Sequence, residues 1–133
     1  MSELKLNYYK GLFLIVAIYD LILGIVFTFF YGFAYNMIGA TENLPVFGGY
    51  LSIIGGFLIV IGIAYYLIYR GDLKKNRDLI LVGALFKLAY GAISCYYFAI
   101  GDIPNAIFFT VFGIIDIISF ILMVECYVRL GKK

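Results

Sequence analysis

Histidine and tryptophan are missing from this chain, and cysteine occurs only at Cys95 and Cys126. Without histidine, and with two cysteines, the ligand sets of zinc, haem and iron-sulfur centres cannot be assembled, so no protein-held metal is expected and no catalytic residue is assigned. The two cysteines fall toward opposite faces of a helical arrangement, too far apart for a bridge within one chain. Charge is scarce as well: 14% of the residues are charged, the net charge is +2, and no basic surface for nucleic acid exists. What fills the chain instead is apolar, 65% of it, with a mean hydropathy of +1.04, which is too much for a soluble globular domain. Its 133 residues accommodate four bilayer spans with short connections, read here as a single transmembrane domain over residues 1–133 with no separate soluble domain.

The expected fold is an all-α four-transmembrane-helix bundle with helices at about 10–31, 45–69, 79–100 and 104–128. Tyr8 and Tyr9 before Lys10 read as an aromatic belt and basic anchor where the first helix enters the membrane. That first run is about twice the length of a signal-peptide core and contains Asp20, so it is expected to be retained. Residues 32 to 44 read as a loop lying partly in the interface, either a flap or a passive connection, and Pro45 suits the first turn of the second helix. The turn from Arg70 to Asp78 is charged, whereas Gly101 to Asn105 carries no basic residue. Every lysine and arginine except Lys87 lies at the amino end, in that middle turn or at the carboxyl end, which by the positive-inside rule puts both termini in the cytoplasm.

Three ionisable residues sit deep in the apolar runs: Asp20, Lys87 and Asp116. A lysine at the bilayer centre costs roughly 2.5 to 3.5 kcal/mol on insertion scales, so Lys87 should face protein and find an acidic partner at similar depth. Asp116, about twelve residues from either end of the expected fourth helix, is the second acidic candidate. With all three ionised the cluster carries a net negative charge, and a proton is expected to come and go. Tyr19, beside Asp20, and Tyr90, one turn beyond Lys87, are also deep, whereas most other tyrosines read as interfacial belts. Glu125 reads as an ordinary solvated carboxylate.

Small residues mark the packing faces. Gly24 lies one turn from Asp20; Gly48, Gly55 and Gly62 recur at heptad spacing with Ser52 between them; Gly91 and Gly113 lie on the faces of Lys87 and Asp116. Such seams let helices approach closely in lipid, and they read as packing rather than ligand contacts. An internal repeat is also visible. Shifted by 67 positions, Lys10 falls on Arg77, Ala17 on Ala84, Asp20 on Lys87 and Gly24 on Gly91; shifted by 59, Asn43-Leu44-Pro45 falls on Asp102-Ile103-Pro104 and Arg70 on Arg129, while Asp116 falls on Phe57. Two tandem helical hairpins of one orientation are implied, with Asp20 and Lys87 at equal depth. The cluster then reads either as a buried pair that locks helix register or as a working site.

The stretches IYDLILG, PVFGGYL, RGDLKKNR and GALFKLAYG together resemble small bacterial four-helix membrane proteins of uncharacterised function and, more distantly, the DoxX-like group. That resemblance implies a bacterial inner membrane and, through the sulfur-oxidising members of the group, a quinone-interacting oxidoreductase component. From the residues alone, the leading expectation is a non-enzymatic membrane protein with no cofactor. It would bind or translocate a small amphipathic or charged molecule at a midplane site of Asp20, Lys87, Asp116, Tyr90 and Tyr19, with proton linkage. A structural subunit that docks a membrane partner through its glycine seam is a third reading, and homo-oligomers are expected because four helices make a thin pathway.

Overall fold

Why the first helix starts where it does is set by Ser2, whose hydroxyl accepts a hydrogen bond from the Lys5 amide at 3.3 Å, with Glu3 in the first turn favourably placed against the helix dipole. In this computed structural model, which describes residues Met1 to Lys132, α1 therefore runs Glu3–Phe29 and begins well before the expected position near residue 10. Lys133, counted above among the basic residues of the carboxyl end, lies outside the described residues. The early start changes the role of Tyr9, which is wholly buried in the core rather than part of a belt, while Tyr8 is exposed.

Phe30 leaves helical geometry and ends α1. The expected loop from residue 32 to 44 is instead largely ordered as a short helix α2, Tyr31–Met37, and a single 3-10 turn, Thr41–Asn43. Gly39, at φ +71°, makes the reversal between them, a conformation that only glycine adopts cheaply. Leu44 is extended, as the residue before a proline must be, so Pro45 precedes the second long helix instead of opening it, and α3 spans Gly49–Arg70. In the turn that follows, Asp72 Oδ1 accepts the backbone N–H groups of Lys74 at 2.8 Å and Lys75 at 3.1 Å. Those two bonds, the Lys75 one foremost, hold the Asp72 carboxyl below the usual carboxylate range.

Helix α4 spans Arg77–Ala99 and ends in a turn at Gly101, again at positive φ. Pro104 too lies ahead of its helix. The last span opens with a π-helical turn, Phe108–Gly113, and continues as α5, Ile114–Gly131. Asp116 is consequently closer to the start of that span than to its end, not midway as its sequence position suggested.

The described residues are all-helical, without strands, and four helices are long and apolar enough to cross a membrane. The shortest, 22 residues, is about 33 Å long, close to the hydrocarbon thickness of a bilayer. Their outward faces are large and apolar, among them Ile15, Ile18 and Ile22 on α1, Phe57 and Val60 on α3, Val82 and Leu85 on α4, and Ile118 and Ile121 on α5. Water would penalise such a surface and hydrocarbon does not.

Helix α1 packs most extensively on α3, and α4 on α5 with its π-helical lead-in; narrower contacts join α3 to α4 and α1 to α5. Glycine makes the first pair close. A Cβ on Gly24 would come within 2.7 Å of Ile59 Cγ1 and 2.8 Å of the Gly55 carbonyl; one on Gly55 would strike Thr28 and one on Gly62 Leu21, while one on Gly48, just ahead of α3, would meet the Tyr31 ring of α2. Ser52 donates across the same seam to the Thr28 carbonyl at 2.9 Å. In the second pair, a Cβ on Gly91 would meet Ile117 Cγ1 at 2.7 Å and one on Gly113 would meet Ser94.

The two ends of the bundle differ. At one, Lys5 approaches Glu125, Arg129 pairs with the same carboxylate at 2.7 Å, and Arg77 lies over the Tyr127 ring while donating to the Tyr127 carbonyl at 3.1 Å. A packed core of Tyr9, Phe13, Tyr65, Ile68, Ile80, Met123 and Cys126 fills that half. At the other end, a smaller cluster of Tyr35, Ala40 and Leu51 forms a cap, with Phe108 against it, and Asn105 Nδ2 ties the cap to the second turn through the Ile38 carbonyl at 2.9 Å. Both cysteines are free thiols, Cys95 exposed and Cys126 buried.

Candidate functional site

Three helices converge on Lys87. Its ammonium donates to Asp20 Oδ1 of α1 at 2.7 Å and to Asp116 Oδ1 of α5 at 2.9 Å, and it has no exposure at all; Asp20 is 1% exposed. The lysine thus meets both acidic candidates, one from each helix pair. The ammonium also lies 5.0 Å from the centre of the Tyr19 ring and 5.8 Å from that of Tyr65. Ring faces are electron-rich and tolerate a cation that has lost its water, so the aromatic walls complete the lysine's surroundings where carboxylates do not.

Tyr65 was not among the expected site residues; it is wholly buried, an exception to the belt reading given to most other tyrosines. Its hydroxyl donates to the Gly83 carbonyl at 2.7 Å, and Gly83 is bare because a Cβ there would meet the Tyr65 ring at 2.5 Å. The available signal was local: Tyr65 lies on the face of Gly62, and Gly83 lies one turn before Lys87.

Two carboxylates against one ammonium leave the ionised cluster with one negative charge in excess. Asp20 Oδ2, buried, has no hydrogen-bond partner, and the same is true of the Tyr19 hydroxyl beside it. An unpaired buried polar atom of this kind costs about 1 to 3 kcal/mol, more when charged, so each calls for a reason.

On the side of the cluster away from the packed core lies a cavity of about 550 Å³. Asp20 and Asp116 form its floor, Tyr19, Phe27, Phe86, Tyr90 and Phe112 stand in its walls, and Tyr35, Asp102 and Pro104 belong to its mouth. Lys87, expected to line the pocket, is not among its lining residues; it is held behind the carboxylates. Tyr90 is more open than its sequence position suggested, and its hydroxyl donates to the Phe108 carbonyl at 2.9 Å. The π-helical turn supplies Phe108 and Phe112 to the cavity, the latter tilted against Tyr19. Such turns are rare and carry an extra residue per turn, a means of re-aiming side chains that no propensity in FFTVFG announces. At the mouth, Tyr35 packs on Phe108, and its burial there pushes its hydroxyl above the ordinary tyrosine value.

The glycines named from the sequence act as packing elements: Gly24, Gly55 and Gly62 on the first helix pair, Gly48 ahead of α3 against Tyr31 of α2, and Gly91 and Gly113 on the second pair. Among the described residues no cluster of metal-ligating side chains occurs. No protein-family model matches the chain, and neither does any curated protein or solved structure. The chemistry of the site therefore rests on its own geometry.

Proposed function

We propose that the chain is an integral membrane protein, built from two tandem helical hairpins with both termini on the cytoplasmic side, that binds a small amphipathic molecule in the aromatic cavity above Asp20 and Asp116. The unpartnered Oδ2 of Asp20 carries this reading, because it belongs to a cavity-lining residue. A register lock between helices needs satisfied partners and a dry seam. It has no use for a cavity of about 550 Å³ directly against the ion pairs, a volume typical of small-molecule sites.

The hairpin organisation draws support from the contacts of equivalent residues. Asp20 and Lys87, 67 positions apart, bond each other. Gly24 is met by Gly55 and Ile59, as its repeat equivalent Gly91 is met by Gly113 and Ile117. Membrane insertion is supported by the four apolar spans, and the orientation by the gathering of basic residues at the end opposite the cavity. With the core packed at that basic end, the molecule holds its ligand from the side that carries Asp102 and no basic residue.

Native mass spectrometry of the protein released gently from its own membranes tests the reading. A bound small molecule should accompany the wild type and be lost from Leu58→Trp, which fills the cavity wall without touching the charges. Equal adducts on both proteins would place the molecule elsewhere and overturn the assignment.

A further inference from the structure

The cavity's lining is one-signed. Three of its residues are aspartates, Asp20 and Asp116 on the floor and Asp102 at the mouth, and none is a lysine or arginine. Lys87 already donates to both floor carboxylates and is fully buried behind them. A ligand in the cavity therefore meets aromatic rings backed by the Asp116 and Asp20 carboxyls, with no lysine or arginine among the lining residues to pair with an anion.

We propose that the cavity selects an amphipathic organic cation, an ammonium carried on an apolar body, whose charge is held by Asp20 Oδ2 among the Tyr19, Tyr90 and Phe112 rings. This rests on the binding function above and names its ligand class. Three features fit together in it. The unpartnered Asp20 oxygen gains a donor, and a charge-assisted bond is worth more than a neutral one. One bound cation brings the cluster to neutrality, two positive charges against two negative, which an anion or a neutral molecule cannot do. The walls are aromatic faces, the surface that best replaces water around a cation while still accepting an apolar body. Asp102, at the mouth, adds attraction of the same sign along the way in.

The absence of tryptophan makes a clean test possible. Phe112→Trp places one indole in the cavity wall, and Ile18→Trp, made separately, places one on the exposed face of α1 as a control for partitioning into detergent or lipid. Each protein, intact and in lipid nanodiscs, is titrated with an ω-bromo-octyl ammonium, the matching alcohol and the matching carboxylate, because bromine quenches indole fluorescence only on contact. The expected result is saturable quenching of Phe112→Trp alone, with the ammonium binding at least ten-fold more tightly than the alcohol and the carboxylate most weakly. Adding Asp20→Asn should remove that ten-fold preference, bringing the ammonium down to the affinity of the alcohol. Should this variant fail to fold, Asp102→Asn, at the exposed mouth, is expected to weaken the ammonium about two- to three-fold and leave the alcohol unmoved. Equal binding of ammonium and alcohol to the Phe112→Trp protein would overturn the cation selection while leaving the cavity as an amphiphile site. Quenching no greater than in Ile18→Trp would overturn both.

Discussion

Replacing Lys87 by Met removes the one positive charge from a site where two carboxylates depend on it, and the consequence can be worked through residue by residue. Breaking a buried ion pair by deleting one partner typically costs about 3 to 5 kcal/mol, since the other charge is left uncompensated. Here two acceptors are orphaned, so the loss should lie at or above about 5 kcal/mol. Asp20→Leu with Lys87→Met leaves only Asp116, and Asp116→Leu with Lys87→Met leaves only Asp20. Because Asp20 is the more deeply buried of the two, the second combination should recover less. The triple change should return to within about 2 kcal/mol of the wild type, since a buried ionic cluster can be exchanged for apolar side chains nearly neutrally. Leucine is larger than aspartate, but both aspartates border the cavity, so the added methyls enter open space instead of forcing the packing. Asp20→Leu or Asp116→Leu alone should each be milder than Lys87→Met, for each leaves Lys87 with one carboxylate as a neutral pair. Thermal unfolding in one detergent at one neutral pH reads the whole series. Losses that simply add across the double and triple changes would mean that the three side chains are not energetically coupled, and the site described here would have to be given up.

Gly24→Val should destabilise by about 1 to 3 kcal/mol, because its side chain would have to displace the α3 backbone, whereas Gly11→Ala, with open space around it, should be neutral or slightly stabilising; the same unfolding assay compares them. In a background carrying Cys95→Ser and Cys126→Ala, a cysteine at Glu42 should react with an impermeant thiol reagent from outside the cell and one at Lys75 should not; the reverse pattern would invert the proposed orientation. Asp72 should titrate below the ordinary carboxylate range by NMR. Its folded value is the depressed one, so its contribution to ordering the turn is present above the unfolded value and lost as pH falls through the folded one, and Asp72→Ala should abolish that pH dependence in the Lys74 and Lys75 amide exchange rates.

The helices and the charges were legible because their signals are intrinsic to the residues. An apolar run of the right length predicts a span in any context, and a lone lysine inside one predicts an acidic partner at its depth, which is why Lys87 with Asp20 and Asp116 could be read before any coordinates. Glycine spacing likewise foretold the seams, since a bare backbone face has little other use in a membrane helix. Helix starts were harder. Ser2 capped α1 earlier than the anchor at Lys10 suggested, which turned Tyr9 from belt to core, and the two prolines ended loops instead of opening helices. Sequence reading also missed what only three-dimensional placement decides. Tyr65 and Gly83 meet across α3 and α4, the π-helical turn re-aims Phe108 and Phe112, and Lys87 hides behind its partners so that the cavity presents only their negative side. None of these follows from a period or a propensity; each follows from how two neighbouring helices share one gap.

The central claim, that the cavity over the charged cluster holds a ligand, is tested most directly by a crystal structure grown from a lipid phase in the presence of the bromo-octyl ammonium. The anomalous signal of bromine and the accompanying density should lie in the cavity among Tyr19, Tyr90 and Phe112, with the nitrogen within hydrogen-bond distance of Asp20 Oδ2 and Lys87 still bonded to Asp20 and Asp116. A structure in which Asp20 Oδ2 is bonded to another protein group, with side chains closed over the cavity and bromine found only on the outer faces of the helices, would contradict the account.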